Sequence, residues 1–135
     1  MLQPAKRKYR KEFRGKRRGM AMRGNAVEFG EFGLKSLEQA WMTARQIEAA
    51  RKTIAHHTKR AGKLWIRVFP DKPTTHKAAG SKMGSGKGDI EQYVAVIRPG
   101  LVLFELGGLP EIDAREAFRK AGHKLPVRTT FIIKN

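Results

Sequence analysis

The sequence contains no cysteine. Disulfides, thiol catalysis and cysteine-based zinc sites are therefore excluded, and no oxidising compartment is required. No apolar run approaches the roughly 18 residues of a membrane span. The N-terminal region has the positive charge of a targeting segment but no apolar stretch behind it, so a secretory signal is not expected. The chain is also short for a transit peptide placed before a complete domain. Acidic residues are scarce: 12 Asp plus Glu stand against 29 Lys plus Arg, leaving a formal net charge of +17. Such a surplus opposes compaction through self-repulsion unless a polyanion neutralises it. Nucleic acid is the partner this balance implies, with an anionic membrane surface as the competing one.

What is present supports one ordinary domain. The 135 residues are 40% hydrophobic, and a chain of this size buries roughly two-thirds of its unfolded surface. The charge divides the chain in two. Residues 1–25 carry Lys6, Arg7, Lys8, Arg10, Lys11, Arg14, Lys16, Arg17, Arg18 and Arg23, opposed only by Glu12. Gly15, Gly19 and Gly24 interrupt any helix there. This reads as a basic, extended N-terminal tail that folds against its partner. Its Tyr9 and Phe13 rings suit stacking on unpaired bases. Residues 26–135 read as the folded body.

Within the body, Val27, Phe29 and Phe32, with Gly30 and Gly33 beside them, suggest an irregular first strand. Thr43-Ala44-Arg45-Gln46 is a capping box opening a helix. Ile47, Ala50, Ile54 and Ala61 form its apolar stripe, and Gly62 is the expected cap. Arg45, Lys52 and Lys59 fall about 200° away on the helical wheel, so one face meets a core while the other meets phosphates. Leu64 to Phe69 reads as a strand ended by Pro70 and Pro73. Tyr93–Ile97 and Leu101–Leu106, joined by Pro99-Gly100, read as an antiparallel hairpin. A second helix follows Pro110, with Glu111 and Asp113 in its first turn and Ala114, Ala117, Phe118 and Ala121 buried. Val127 to Ile133 closes the chain as a strand. The expected class is α+β, a mixed sheet covered by two helices.

Residues 70–88 form a long Gly/Lys-rich loop. Loops of this length are usually functional or disordered. Glycines let backbone N–H groups approach phosphates, and lysines supply charge. A nucleotide-binding P-loop is not expected: Gly88 follows Gly86-Lys87 where Ser or Thr is required, and position 81 is Ser rather than Gly. Adjacent His56 and His57 point about 100° apart on a helix and do not form a chelating pair. No nucleophile with base and orienting group is present, so no catalytic residue, metal site or cofactor is assigned.

Several ordered blocks then carry a resemblance. They include Met1-Leu2-Gln3-Pro4, Phe29-Gly30-Glu31-Phe32-Gly33-Leu34-Lys35 and Thr43-Ala44-Arg45-Gln46-Ile47-Glu48-Ala49-Ala50-Arg51. The most specific is Trp65-Ile66-Arg67-Val68-Phe69-Pro70-Asp71-Lys72-Pro73. Met83-Gly84, Gly86-Lys87-Gly88, Ala114-Arg115-Glu116-Ala117-Phe118 and Leu125-Pro126 complete the set. Together they resemble the bacterial-type large-subunit ribosomal protein L-sixteen family. The resemblance implies an α/β-hammerhead type of fold and a structural, non-enzymatic role in the large subunit. It implies large-subunit rRNA as the main partner, with neighbouring ribosomal proteins, in cytoplasmic ribosomes and without homo-oligomers. It also implies that the long loop lies near tRNA at the aminoacyl site and the peptidyl transferase region, placing Lys77, Lys82, Met83, Gly84, Gly86 and Lys87 there. Two departures stand out. Ala5 separates the opening from Lys6-Arg7, and Lys82 precedes Met83-Gly84 where relatives often have Arg, keeping the charge but losing the planar fork. The alternative reading is a free nucleic-acid-binding regulator, though the 43–61 helix offers no Asn on its basic face.

Overall fold

The computed structural model describes residues 2–4, 19–21, 23–76 and 89–135. Most of the basic tail and the centre of the long loop lie outside these residues, and so do the expectations placed on them. The element order is β1 (Phe32–Ser36), β2 (Ala40–Thr43), α1 (Ala44–His57), β3 (Lys63–Ile66), β4 (Lys72–His76), β5 (Asp89–Ile97), β6 (Val102–Gly107), α2 (Glu111–Gly122) and β7 (Thr129–Ile133).

The α+β class and its two helices are as expected, but the sheet is not one mixed sheet. The strands form a four-stranded sheet in the order β3-β6-β1-β7 and a three-stranded sheet in the order β2-β5-β4. Every described pairing is antiparallel. Helix α1 packs on β2 and β5, α2 packs on β7 and β1, and the helices pack on each other. One hydrophobic core results, running from Met42 and Ile97 through Ile47 and Ile54 to Phe118, Leu34 and Phe104.

The expected hairpin across Pro99-Gly100 does not form. β5 and β6 belong to different sheets. Gly100 adopts a φ of +95°, and its N–H donates to Ser36 O at 2.8 Å. Ala21 N–H donates to Pro99 O at 2.9 Å. These contacts hold the turn against its neighbours, so the chain changes sheets there instead of folding back. Sequence distance and apolar content alone do not distinguish the two outcomes.

Several boundaries also differ: β3 spans Lys63–Ile66 rather than Leu64 to Phe69, β5 begins at Asp89 rather than Tyr93, and β7 begins at Thr129 rather than Val127. β1 begins at Phe32, and residues 27–31 form a strap before it. The expected loop is shorter than 70–88, because Lys72–His76 pairs with β5 and His76 lies opposite Asp89. Pro73 is tolerated because β4 is an edge strand, where a missing N–H costs no ladder bond. β2 was not foreseen. Its four residues, Ala40–Thr43, are too short to show an alternating pattern.

Candidate nucleic-acid interface

The outer surface of α1 follows from its first turn. Gln46 N–H donates to Thr43 Oγ1 at 3.2 Å, and Thr43 N–H donates to Gln46 Oε1 at 2.9 Å. This capping box fixes where the helix starts and so which face each later residue takes. Ile47, Ala50 and Ile54 are buried. Arg45 and Lys52 are exposed, as the wheel requires.

The helix ends earlier than expected. Thr58 is the C-cap, and its hydroxyl donates to Ile54 O at 2.9 Å, competing for that carbonyl. Lys59 and Arg60 then take φ values of 53° and 63°. This is the left-handed region, which costs a non-glycine residue roughly 1–2 kcal/mol. Arg60 N–H donates to Ala55 O at 3.0 Å, closing the turn. Ala61 therefore leaves the buried stripe and is exposed. Lys59 extends the basic face from a strained turn rather than from the helix. Gly62, with a φ of +71°, turns the chain into β3 instead of capping α1.

α2 delivers the second half of the surface. Ala114, Ala117, Phe118 and Ala121 are buried as expected. That stripe leaves Arg119, Lys120, His123 and Lys124 exposed at its end. Because the helices pack together, both C-terminal ends meet. Lys120 Nζ lies 3.1 Å from His57 Nδ1. An ammonium only donates, so Nδ1 is the acceptor. The meeting forms a cleft of about 770 Å³ lined by Lys52, Thr53, His56, His57, Lys59, Lys120, His123 and Lys124.

Among the described residues, no carboxylate lines this cleft. Nearby acids are engaged elsewhere. The hydrogen bond from Arg51 holds the Glu48 carboxyl below the usual range. The bond from Arg119 does the same for Glu116, with smaller contributions from Lys120 and His57. The four lysines thus keep a positive field that suits phosphate oxygens. Basic side chains also complement the negative ends of both helix dipoles, which accounts for part of their placement. Among the described residues, no group of three or more His, Cys, Asp or Glu side chains is arranged to hold a metal ion.

The predicted contact residues are thus only partly assembled. Lys52 and Lys59 share the cleft. Arg45 sits at the other end of α1, and Arg23 is exposed in the segment before β1. Lys6, Arg7, Lys8, Arg10, Lys11, Arg14, Lys16, Arg17 and Arg18 lie outside the described residues, as do Lys77, Lys82, Met83, Gly84, Gly86 and Lys87. Sequence reasoning missed Lys120, His123 and Lys124. The signal was available in the basic last turns of both helices, but their convergence depends on tertiary packing.

Comparison with known proteins gives the relationship. The profile of the family described as "Ribosomal protein L16p/L10e" matches residues 4–132. A protein of Delftia acidovorans named "Large ribosomal subunit protein uL16" is 62% identical, across 98% of this chain and 96% of its own length. Proteins of the same name from Polaromonas sp. and Albidiferax ferrireducens are 61% and 59% identical, covering 98% and 99% of this chain and 96% and 97% of their own lengths. With a match of this extent at this identity, the chain belongs to the ribosomal protein L16p/L10e family.

Proposed function

We propose that this protein is a structural component of the large ribosomal subunit, acting in the cytoplasm and not as an enzyme. It binds large-subunit rRNA and sits among neighbouring ribosomal proteins. The observation that carries the reading is the cleft where two helix ends bring together, among the described residues, four lysines and no carboxylate. A surface of that kind matches a phosphate backbone, and the net charge of +17 extends the same preference over the chain. In this reading the tail residues Lys6 to Arg18 and Arg23, with Arg45, Lys52 and Lys59, contact rRNA. The body runs from residue 26 to 135.

The finer proposal concerns residues 77–88. β4 and β5 are adjacent, and His76 opposite Asp89 brings the two ends of this segment together. The segment includes Lys77, Lys82 and Lys87, with Met83, Gly84 and Gly86. Its place is near tRNA in the aminoacyl site, and the hammerhead-type fold supplies its base. Replacing residues 77–88 with Asn-Gly supplies the turn that a two-residue hairpin needs. Such particles should assemble, sediment normally and accommodate aminoacyl-tRNA poorly. Normal tRNA accommodation overturns the loop's role. Failure of the intact chain to co-sediment with large subunits at moderate salt overturns the ribosomal reading and favours a free regulator.

A further inference from the structure

A second surface is built from β3, the strap before β1 and the turn after β6. Phe29 stacks on Trp65, with ring centroids 6.3 Å apart and planes 21° from parallel. The buried carboxylate of Glu105 fixes the strap that carries Phe29, accepting Phe29 N–H at 2.7 Å and Gly30 N–H at 2.8 Å. The Arg67 guanidinium lies 5.0 Å from the Phe29 ring centroid, and Lys63 Nζ lies 5.3 Å from that of Trp65. Phe29 nevertheless keeps 56% of its surface exposed. One exposed ring is ordinary. A stacked pair that lies outside the core, yet is anchored by the fold's buried acid, calls for another explanation.

The rings open onto a cavity of about 490 Å³ lined also by Gly30, Gly107, Lys63 and Lys134. A Cβ on Gly30 would stand 2.6 Å from Leu106 O and 2.9 Å from the Trp65 ring. Glycine there keeps the ring edge bare. Among the described residues Glu31 is the one carboxylate lining the cavity, and it accepts Gly108 N–H at 3.1 Å. The surroundings are therefore aromatic rings with cations lying over them.

We propose that this shelf receives an unpaired RNA base, stacked on Phe29 and Trp65, with its flanking phosphates on Lys63 and Lys134. The inference rests on the RNA-binding reading above and names a chemistry for it that the lysine cleft does not supply. The cations gathered around the rings favour an anionic strand over a neighbouring protein's apolar side chain. Stacking recognises any base, because every base presents a π face.

The test uses the full chain and single-stranded oligoadenylate. A Trp41→Phe background leaves Trp65 as the sole tryptophan, since the chain has two. Binding should quench Trp65 fluorescence. Phe29→Leu should weaken binding about tenfold, within the range of one lost base stack. Its salt dependence should not change, because no charge is altered, and Phe29→Tyr should retain the affinity. Unquenched Trp65, or Phe29→Leu binding as tightly as its parent, overturns the shelf while salt-dependent RNA binding persists. A protein side chain seated on the rings in the assembled particle also overturns it. If neither oligoadenylate nor large-subunit rRNA binds in a salt-dependent way, both this inference and the RNA-binding reading fall.

Discussion

Glu105 is fully buried in the middle of β6 and remains charged. Burial works to raise its pKa, but N–H donors from Gly30, Phe29 and Glu28, with the Arg67 guanidinium, outweigh it and hold the carboxyl below its usual value. The folded pKa thus lies below the unfolded one. Its stabilising contribution is complete above the unfolded value, about 4.3, and is lost as pH falls through the lower folded value. Glu105→Gln should therefore cost about 3 kcal/mol in urea unfolding at pH 7, because the mostly buried Arg67 guanidinium loses its near partner and keeps only the exposed Glu28 carboxylate at 3.8 Å and the Ala26 carbonyl. The gap between variant and parent should narrow toward pH 3, and a gap that is constant with pH would refute the charged state. The sequence concealed this role. A single Glu inside Val102-Leu103-Phe104-Glu105-Leu106 offers no partner at a local spacing, and its partners lie 38 to 77 positions away.

At the scale of elements, starts were easier to read than ends. The capping box of α1 and the buried stripe of α2 are local patterns, and both stand where the pattern puts them. The end of α1 depends on Thr58 taking the Ile54 carbonyl and on the need to enter β3 beside β6. Neither is a periodic signal. The same limit explains the missed half of the interface, because Lys120 and Lys124 meet Lys52 only through helix–helix packing. Their contribution is measurable. Changing Lys120 and Lys124 together to Ala should leave the urea midpoint nearly unmoved, since both are exposed. The slope of log affinity for rRNA against log salt should fall by about 1.4–1.8, or about 0.7–0.9 for each lost phosphate contact. An unchanged slope would remove the cleft from the interface.

For the whole molecule, the class was legible because charge and apolar content are sums over the chain, whereas the split into two sheets was not. It turns on the short β2 and on the sheet change at Pro99-Gly100. The charge of +17 predicts opposite effects of salt on two properties. Added salt screens self-repulsion, so the free protein should melt at a higher temperature between 50 and 200 mM. Over the same range, a complex with about six to ten phosphate contacts should lose roughly 10³–10⁵ in affinity. Thermal melts and binding titrations in one buffer series check both, and parallel trends would contradict the assignment of the charge to RNA contact. The pairing of β1 has a further consequence in time. Gly33 meets Ile132, so β1 waits about 100 residues for its partner β7. At about 5–20 residues per second of synthesis, that is roughly 5–20 s. Throughout this interval the cationic N-terminal residues have left the site of synthesis while the four-stranded sheet lacks its last strand. Encounter with a polyanion can therefore precede completion of the fold, and the order in which the chain emerges becomes part of how it finds its place.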